Sequence, residues 1–228
     1  MGAFSARAVN VWPDSNPWTL AEALLGRGGV TIRSATYLGA NGAAGLYSAG
    51  PLDIKDGIVM SSGQISGIPN VGQFISSSNG QPGDALCNQL ASPYTSQDRA
   101  RLEIVFDLAP GYDGIQFSYI SGTEEFPDYV GSTFNDPVGD ILNGVNVALD
   151  DSVPPAPITL NGPFYENFAR VIQSPNTQTA FNGSTPLLTN RATLAGGSTN
   201  NVLVVVVCDM SDSSYDTGIF LTALQGCV

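Results

Sequence analysis

The chain has 228 residues, 43% of them apolar and 12% charged, enough to bury one sizeable core. Asp and Glu number 20 against 8 Lys and Arg, a formal net charge of -12 that removes the positive footprint needed to bind a phosphate backbone, so nucleic acid is excluded as a partner. Histidine is absent, which excludes Ser-His-Asp and Cys-His catalysis and His-ligated zinc, and Lys55, the one lysine, reads as a solvated turn residue that leaves no P-loop or Schiff-base chemistry.

The start, Met1-Gly2-Ala3-Phe4-Ser5, lacks a charged segment followed by a long apolar one, so no signal peptide is read there. The first expected element is a short helix over Leu20–Leu25, with Thr19 and Glu22 in capping-box relation and Gly26 and Gly28 to stop it. Strands are then expected at Val30–Leu38, Gly57–Ser62, Leu102–Leu108, Gly114–Ser121, Ile141–Leu149, Pro157–Leu160, Leu187–Leu194, Val202–Cys208 and Thr217–Leu224. Asn-Gly pairs beginning at Asn41, Asn79, Asn143, Asn161 and Asn182 fall between apolar segments, where type I′ turns prefer them. Leu102, Ile104, Phe106 and Leu108 alternate with Arg101, Glu103, Val105 and Asp107, as a half-buried strand requires. Val202–Val207 is apolar on both faces and predicts a central strand covered on both sides. Asp150–Pro157 reads as a rigid surface connection. No repeat interrupts the pattern, and no apolar run approaches the roughly 20 residues that span a bilayer. The expectation is an all-β chain, a β-sandwich or jelly-roll-like single domain over residues 1–228 with one short N-terminal helix.

Three cysteines cannot all pair within one chain. Cys208 ends the strand that is apolar on both faces and is expected reduced in the core. Cys87 follows a turn-like Gln81-Pro82-Gly83-Asp84, and Cys227 lies near the chain end, where an exposed, mobile thiol is expected. These two are open to an intrachain bridge or to bonds between molecules that would lock an assembly in an oxidising compartment. Asn182-Gly183-Ser184 is the single N-glycosylation sequon, and it also reads as a plain turn.

Seven carboxyl groups (Glu124, Glu125, Asp128, Asp136, Asp140, Asp150 and Asp151) occur with no basic residue among them, and a second acidic cluster, Asp209-Met210-Ser211-Asp212-Ser213-Ser214-Tyr215-Asp216, follows the apolar strand. Two such loops at neighbouring strand ends predict convergence, and calcium, which takes six to eight oxygen ligands, would relieve the repulsion; solvated loops are the alternative. Zinc and iron have no nitrogen or sulfur framework here.

Ser121-Gly122-Thr123-Glu124-Glu125-Phe126-Pro127-Asp128-Tyr129-Val130, followed by Phe134-Asn135-Asp136, resembles the signature of the choice-of-anchor L domain. Gly28–Ile32, Gly57–Gly63, Gly83–Leu86 and Asp209–Leu221 agree in order, so the resemblance runs from about Leu20 onward. It implies a β-rich extracellular module. It also implies that the paired acidic motifs act as a unit, with calcium drawn from a pool of Glu124, Glu125, Asp128, Asn135, Asp136, Asp212 and Asp216, and with Asp209 behind them. Phe126, Tyr129, Phe134 and Tyr215 are expected to pack and fix the loops, ahead of forming a sugar platform.

The function this suggests is non-catalytic: a calcium-stabilised structural or self-assembly module, a homo-oligomer or higher assembly that extends to disulfide-linked protein crystals of the gravity-sensing kind. The compartment is secreted, extracellular or vacuolar. One alternative is a secreted glycan-binding or adhesion module that contacts glycan or extracellular matrix. The other is a glycoside hydrolase using two carboxyls such as Glu124 and Asp212.

Overall fold

Leu102, Ile104, Phe106 and Leu108 point into the space between two antiparallel sheets, as their alternation predicts. The computed structural model describes residues 9–150, 152 and 154–228; the reading at Met1–Ser5, and Asp151 and Val153 of the connection, lie outside the described residues. In chain order the elements are β1 (Asn10–Pro13), α1 (Pro17–Leu24), β2 (Val30–Leu38), β3 (Ala44–Ser48), β4 (Gly57–Ser61), α2 (Ala85–Leu90), β5 (Ser96–Leu108) and β6 (Gly114–Thr123). There follow β7 (Val138–Leu142), β8 (Val145–Asn146), α3 (Pro163–Glu166), β9 (Ile172–Gln173), β10 (Gly183–Ser184), β11 (Leu188–Thr193), β12 (Asn201–Met210) and β13 (Thr217–Cys227).

One sheet runs β1-β3-β4-β13-β6-β10-β9 with β11 also paired to β6, and the other runs β2-β5-β12-β7-β8. The main core lies between them: Leu102, Ile104 and Phe106 of β5 and Leu203, Val205 and Val207 of β12 face Ile115, Phe117 and Tyr119 of β6 and Ile219 and Leu221 of β13. The chain is therefore an all-β sandwich. As the apolar run predicts, β12 lies inside its sheet and is covered on both faces. Its outward set, Val204, Val206, Cys208 and Met210, packs beneath α2 with Ala91 and Ile141.

Several local expectations are corrected. The first helix begins earlier than the Thr19-Glu22 pairing suggests, at Pro17. Its cap is Asn16, whose side chain accepts from the N–H groups of Trp18 and Thr19, and Pro17 occupies the first position, where no N–H is needed. Ile141–Leu149 is not one strand: Asn143 and Gly144, with φ of 48° and 86°, make the tight turn that joins β7 to β8. Pro157–Leu160 contributes only isolated bridges from Pro157 and Thr159. The edge strand β1, its neighbour β3 and the helix α2, capped by Asp84, were not anticipated.

The cysteine pairing is also corrected. Cys208 lies on the outward face of β12 and is bonded to Cys87 of α2, with Cα atoms 6.3 Å apart. Cys227 is free and, at 8% exposure, buried, because β13 continues to its end as a partner of β6 and pairs Cys227 with Gly114. The expected Cys87–Cys227 bridge and the exposed terminal thiol are both absent from the described structure.

Candidate functional site

At one pole of the sandwich β6 and β12 end while β7 and β13 begin, so both acidic loops start from anchored backbone at the same place. They converge. Ser211 donates its hydroxyl to the Thr133 carbonyl, Met210 donates its N–H to Asp136 Oδ1 at 2.8 Å, and the Thr217 hydroxyl donates to Asp136 Oδ2 at 2.8 Å. The N–H of Glu124 reaches the carbonyl of Asp216.

A strap from the long β4–β5 connection crosses this pole, and carboxyl groups take the place of a neighbouring strand. Four alternate N–H groups donate to three acids: Ile75 to Glu124 Oε1 (3.3 Å), Ser77 to Asp216 Oδ1 (2.7 Å), Asn79 to Asp98 Oδ2 (3.0 Å) and Gln81 to Asp98 Oδ1 (2.6 Å). Glu124 Oε2 accepts the N–H of Asn182. The period of two is that of extended chain, in which every second N–H points the same way.

The seven residues proposed as ion ligands thus divide. Glu124 and Asp216 grip the strap. Asp136 ties the two loops together. Asn135 accepts the N–H of Asn161, and Asp212 accepts that of Ser214 within its own loop. Asp128 is exposed, and Glu125 is buried with Oε2 unpartnered. Asp209 is fully buried and neither of its oxygens has a partner. Among the described residues no three acidic, histidine or cysteine side chains stand close enough to hold one metal ion as they are placed. The donor set, carboxyl, hydroxyl and carbonyl oxygen throughout, suits a hard cation such as calcium and not zinc or copper.

The electrostatics follow from burial without a counter-charge. Burial, and then the repulsion of Asp136 and Asp212, pushes Glu125 up to about 9. Burial raises Glu124 to about 7, held down in part by the N–H groups of Ile75 and Asn182. Asp136, Asp209 and Asp216 are raised in the same direction, burial being the main cause in each. The ion pairs Arg33–Asp107, Arg101–Asp84, Arg101–Glu103 and Arg191–Asp113 all lie elsewhere.

Outside the acids runs a ridge of aromatic rings. Phe134 and Tyr129 have centroids 5.4 Å apart, Tyr129 and Tyr215 4.9 Å, and Tyr215 and Phe74 5.0 Å. Phe74 is 63% exposed and the other three are half-buried. Phe126 alone behaves as a core residue, 1% exposed beside Phe168 and Tyr165. Asn182 turns its side-chain amide onto the Glu124 carbonyl.

The sequence matches a family over residues 9–225, which takes in both sheets, the strap and the acidic pole. The chain belongs to the choice-of-anchor L domain family. Choice-of-anchor L domains are of a non-enzymatic type and typically extracellular or at a surface, and the Cys87–Cys208 bond fits an oxidising compartment. Comparison with curated proteins and with solved structures returned no match. No helix among the described residues of this choice-of-anchor L domain is long and apolar enough to cross a membrane.

Asp98 and Asp140 are buried acids to which the sequence analysis gives no site role, although each carried a signal. Asp98 continues the inward series of β5 (Leu102, Ala100, Asp98), and Asp140 falls between Val138 and Leu142 on the inward face of β7. Asp209 extends the inward series Leu203, Val205, Val207 in the same way. An acid in phase with an apolar alternation is an interior acid.

Proposed function

We propose that the chain is a non-catalytic surface module that attaches to a carbohydrate or matrix polymer through the ridge formed by Phe134, Tyr129, Tyr215 and Phe74. The ridge carries this reading: contiguous rings supply apolar faces for the C–H surfaces of a sugar, while the tyrosine hydroxyls and the rim carboxyls of Asp128 and Asp212 supply hydrogen-bond partners for its hydroxyls. Attachment is favoured over hydrolysis because Glu124 is 3% exposed and both its carboxyl oxygens hold backbone N–H groups, so it has no free oxygen to offer a glycosidic bond. Retention on insoluble polysaccharides and on a glycan array tests the reading. The parent should bind, and Phe74→Ala with Tyr215→Ala should lose binding while melting like the parent. Association of copies through the same ridge, up to ordered assemblies or crystals, is the competing reading. It would show as concentration-dependent sedimentation lost in the same double variant.

Calcium has a place in this reading because Asp209 is buried with two unpartnered oxygens. Among the described residues no three acids stand close enough to hold an ion as placed, so one bound there would have to draw Asp209, Glu125 and Asp136 together, leaving Glu124 and Asp216 on the strap, and would neutralise the pole beneath the ridge. At a hundredfold excess over Kd it would add about 2.7 kcal/mol. Superimposable melts in chelator and in millimolar calcium would remove the ion from the proposal.

A further inference from the structure

A cleft of about 570 Å³ opens on the flank of the sandwich, where both sheets run out. β11, outermost beside β6, turns Asn190 and Ala192 inward, and β8, the last strand of the facing sheet, is only two residues long. With too little strand opposite, core-facing side chains stay half-buried, and Leu142, Val145, Val147, Leu149, Ala192 and Leu194 form an apolar wall of the size that holds small ligands.

The polar groups gather at the Asn190 end. Asp150 lines the cleft at 4% exposure. Its Oδ1 accepts the N–H groups of Ser152 and Ala156 and the Ser152 hydroxyl, while Oδ2 has no partner. Asp140 is fully buried and both its oxygens are unpartnered. Both acids act on the same hydroxyl, that of Tyr119, which donates to the Leu149 carbonyl and accepts from the Asn190 amide. Asn190 also donates to the Val147 carbonyl, and Arg191, which lines the cleft, is paired with Asp113. Among the described residues, Asp150, which lines the cleft, thus has one carboxyl oxygen without a hydrogen-bond donor, and the fully buried Asp140 has two.

We propose that this cleft binds an amphipathic amine, its apolar chain or ring along the Val147–Leu194 wall and its ammonium at the Asp150 end, where a turn of the Asp150 side chain brings the buried Oδ2 out to accept its N–H groups. The apolar body is removed from water by the wall, and the head supplies the donors that the protein lacks at this place. An alcohol of the same body brings one donor and no charge. A carboxylic acid of the same body sets like groups against each other.

Titration calorimetry of the full chain with octylamine, 1-octanol and octanoate tests this. Octylamine should bind saturably, 1-octanol about tenfold or more weaker, and octanoate not measurably. Asp150→Asn should bring octylamine to the level of the alcohol, and Ala192→Trp, which fills the cleft, should abolish both. The proposal is overturned if the parent shows no saturable octylamine binding, if it binds octanoate as well as the amine, or if Asp150→Asn binds unchanged. Should Asp150→Asn fail to fold, the amine-to-alcohol ratio on the parent and its loss in Ala192→Trp decide alone.

Discussion

Ser77 gives both its backbone N–H and its hydroxyl to one carboxyl, that of Asp216, at 2.7 and 2.9 Å. It is the firmest of the strap's attachments, and it shows what the buried acids accomplish within the molecule. They stand in for the carbonyl row of a missing strand, so that a connection with no sheet partner still has its N–H groups satisfied.

Asp216→Ala should therefore leave the Ser77 N–H and hydroxyl without the acceptor they share, cost about 1–3 kcal/mol, and expose the strap. Limited proteolysis read by mass spectrometry should show new cleavage between Val71 and Pro82. Cleavage at the parental rate would mean that the clamp does not hold the strap.

The Cys87–Cys208 bond closes a loop of 121 residues, a length at which the chain-entropy description assigns roughly 4–5 kcal/mol. Reduction, or Cys208→Ser with Cys87→Ser, should lower the urea midpoint by a corresponding amount. Cys227→Ser should move it little, and thiol-blocked protein should run as monomer without reductant. A ladder abolished by Cys227→Ser would show that this buried thiol reaches the surface.

Stability should fall as pH rises. Burial raises Asp140 to about 8, so the folded state holds a proton that the unfolded chain releases near pH 4. The contribution is fully present below the unfolded value and is lost between about pH 4 and 8, at about 1.4 kcal/mol per pH unit for one carboxyl. Glu124, raised to about 7, acts in the same direction. Chemical denaturation of the parent and of Asp140→Asn from pH 4 to 9 checks this. The parent should lose stability across the window and the variant should lose less; parallel curves would mean that Asp140 is not the titrating group.

Gly122 of the signature sequence lies against Phe181, and a Cβ built there would come within 2.3 Å of the ring. Phe181 is itself buried, so Gly122→Ala should cost about 1–3 kcal/mol through displacement of the ring. Thermal unfolding compared with Gly111→Ala, where a Cβ meets open space, separates this close approach from backbone strain.

Much of this architecture was legible because β-strands in a sandwich announce themselves by period. β2 starts and stops at the expected residues, and β5, β6, β11, β12 and β13 each contain or nearly coincide with an expected run. What escaped was set by tertiary context. β1 at the sheet edge and β3 beside it are short pieces whose partners, not their composition, make them strands, and α2 has six residues, too few for a helical period to show. With α2 unseen, the outward face of β12 had no visible cover, and Cys208 read as a core thiol. The convergence of the acidic loops could be anticipated from the strand ends. Their attachment to the strap could not, because Ile75–Gln81 carries no motif for accepting carboxyls as neighbours.

The position of the one disulfide also governs how the molecule answers a pull. Cys87 and Cys208 stand 121 residues apart, and tension applied between the ends of the described chain runs through their sulfur atoms and bypasses everything enclosed between them. At about 3.4 Å of extended length per residue, roughly 400 Å of contour is withheld from stretching, including β5 through β11 and most of β12. Only the segments before α2 and after Met210 can lengthen under load. Most of the sandwich is thus mechanically bypassed for as long as the bond stays oxidised.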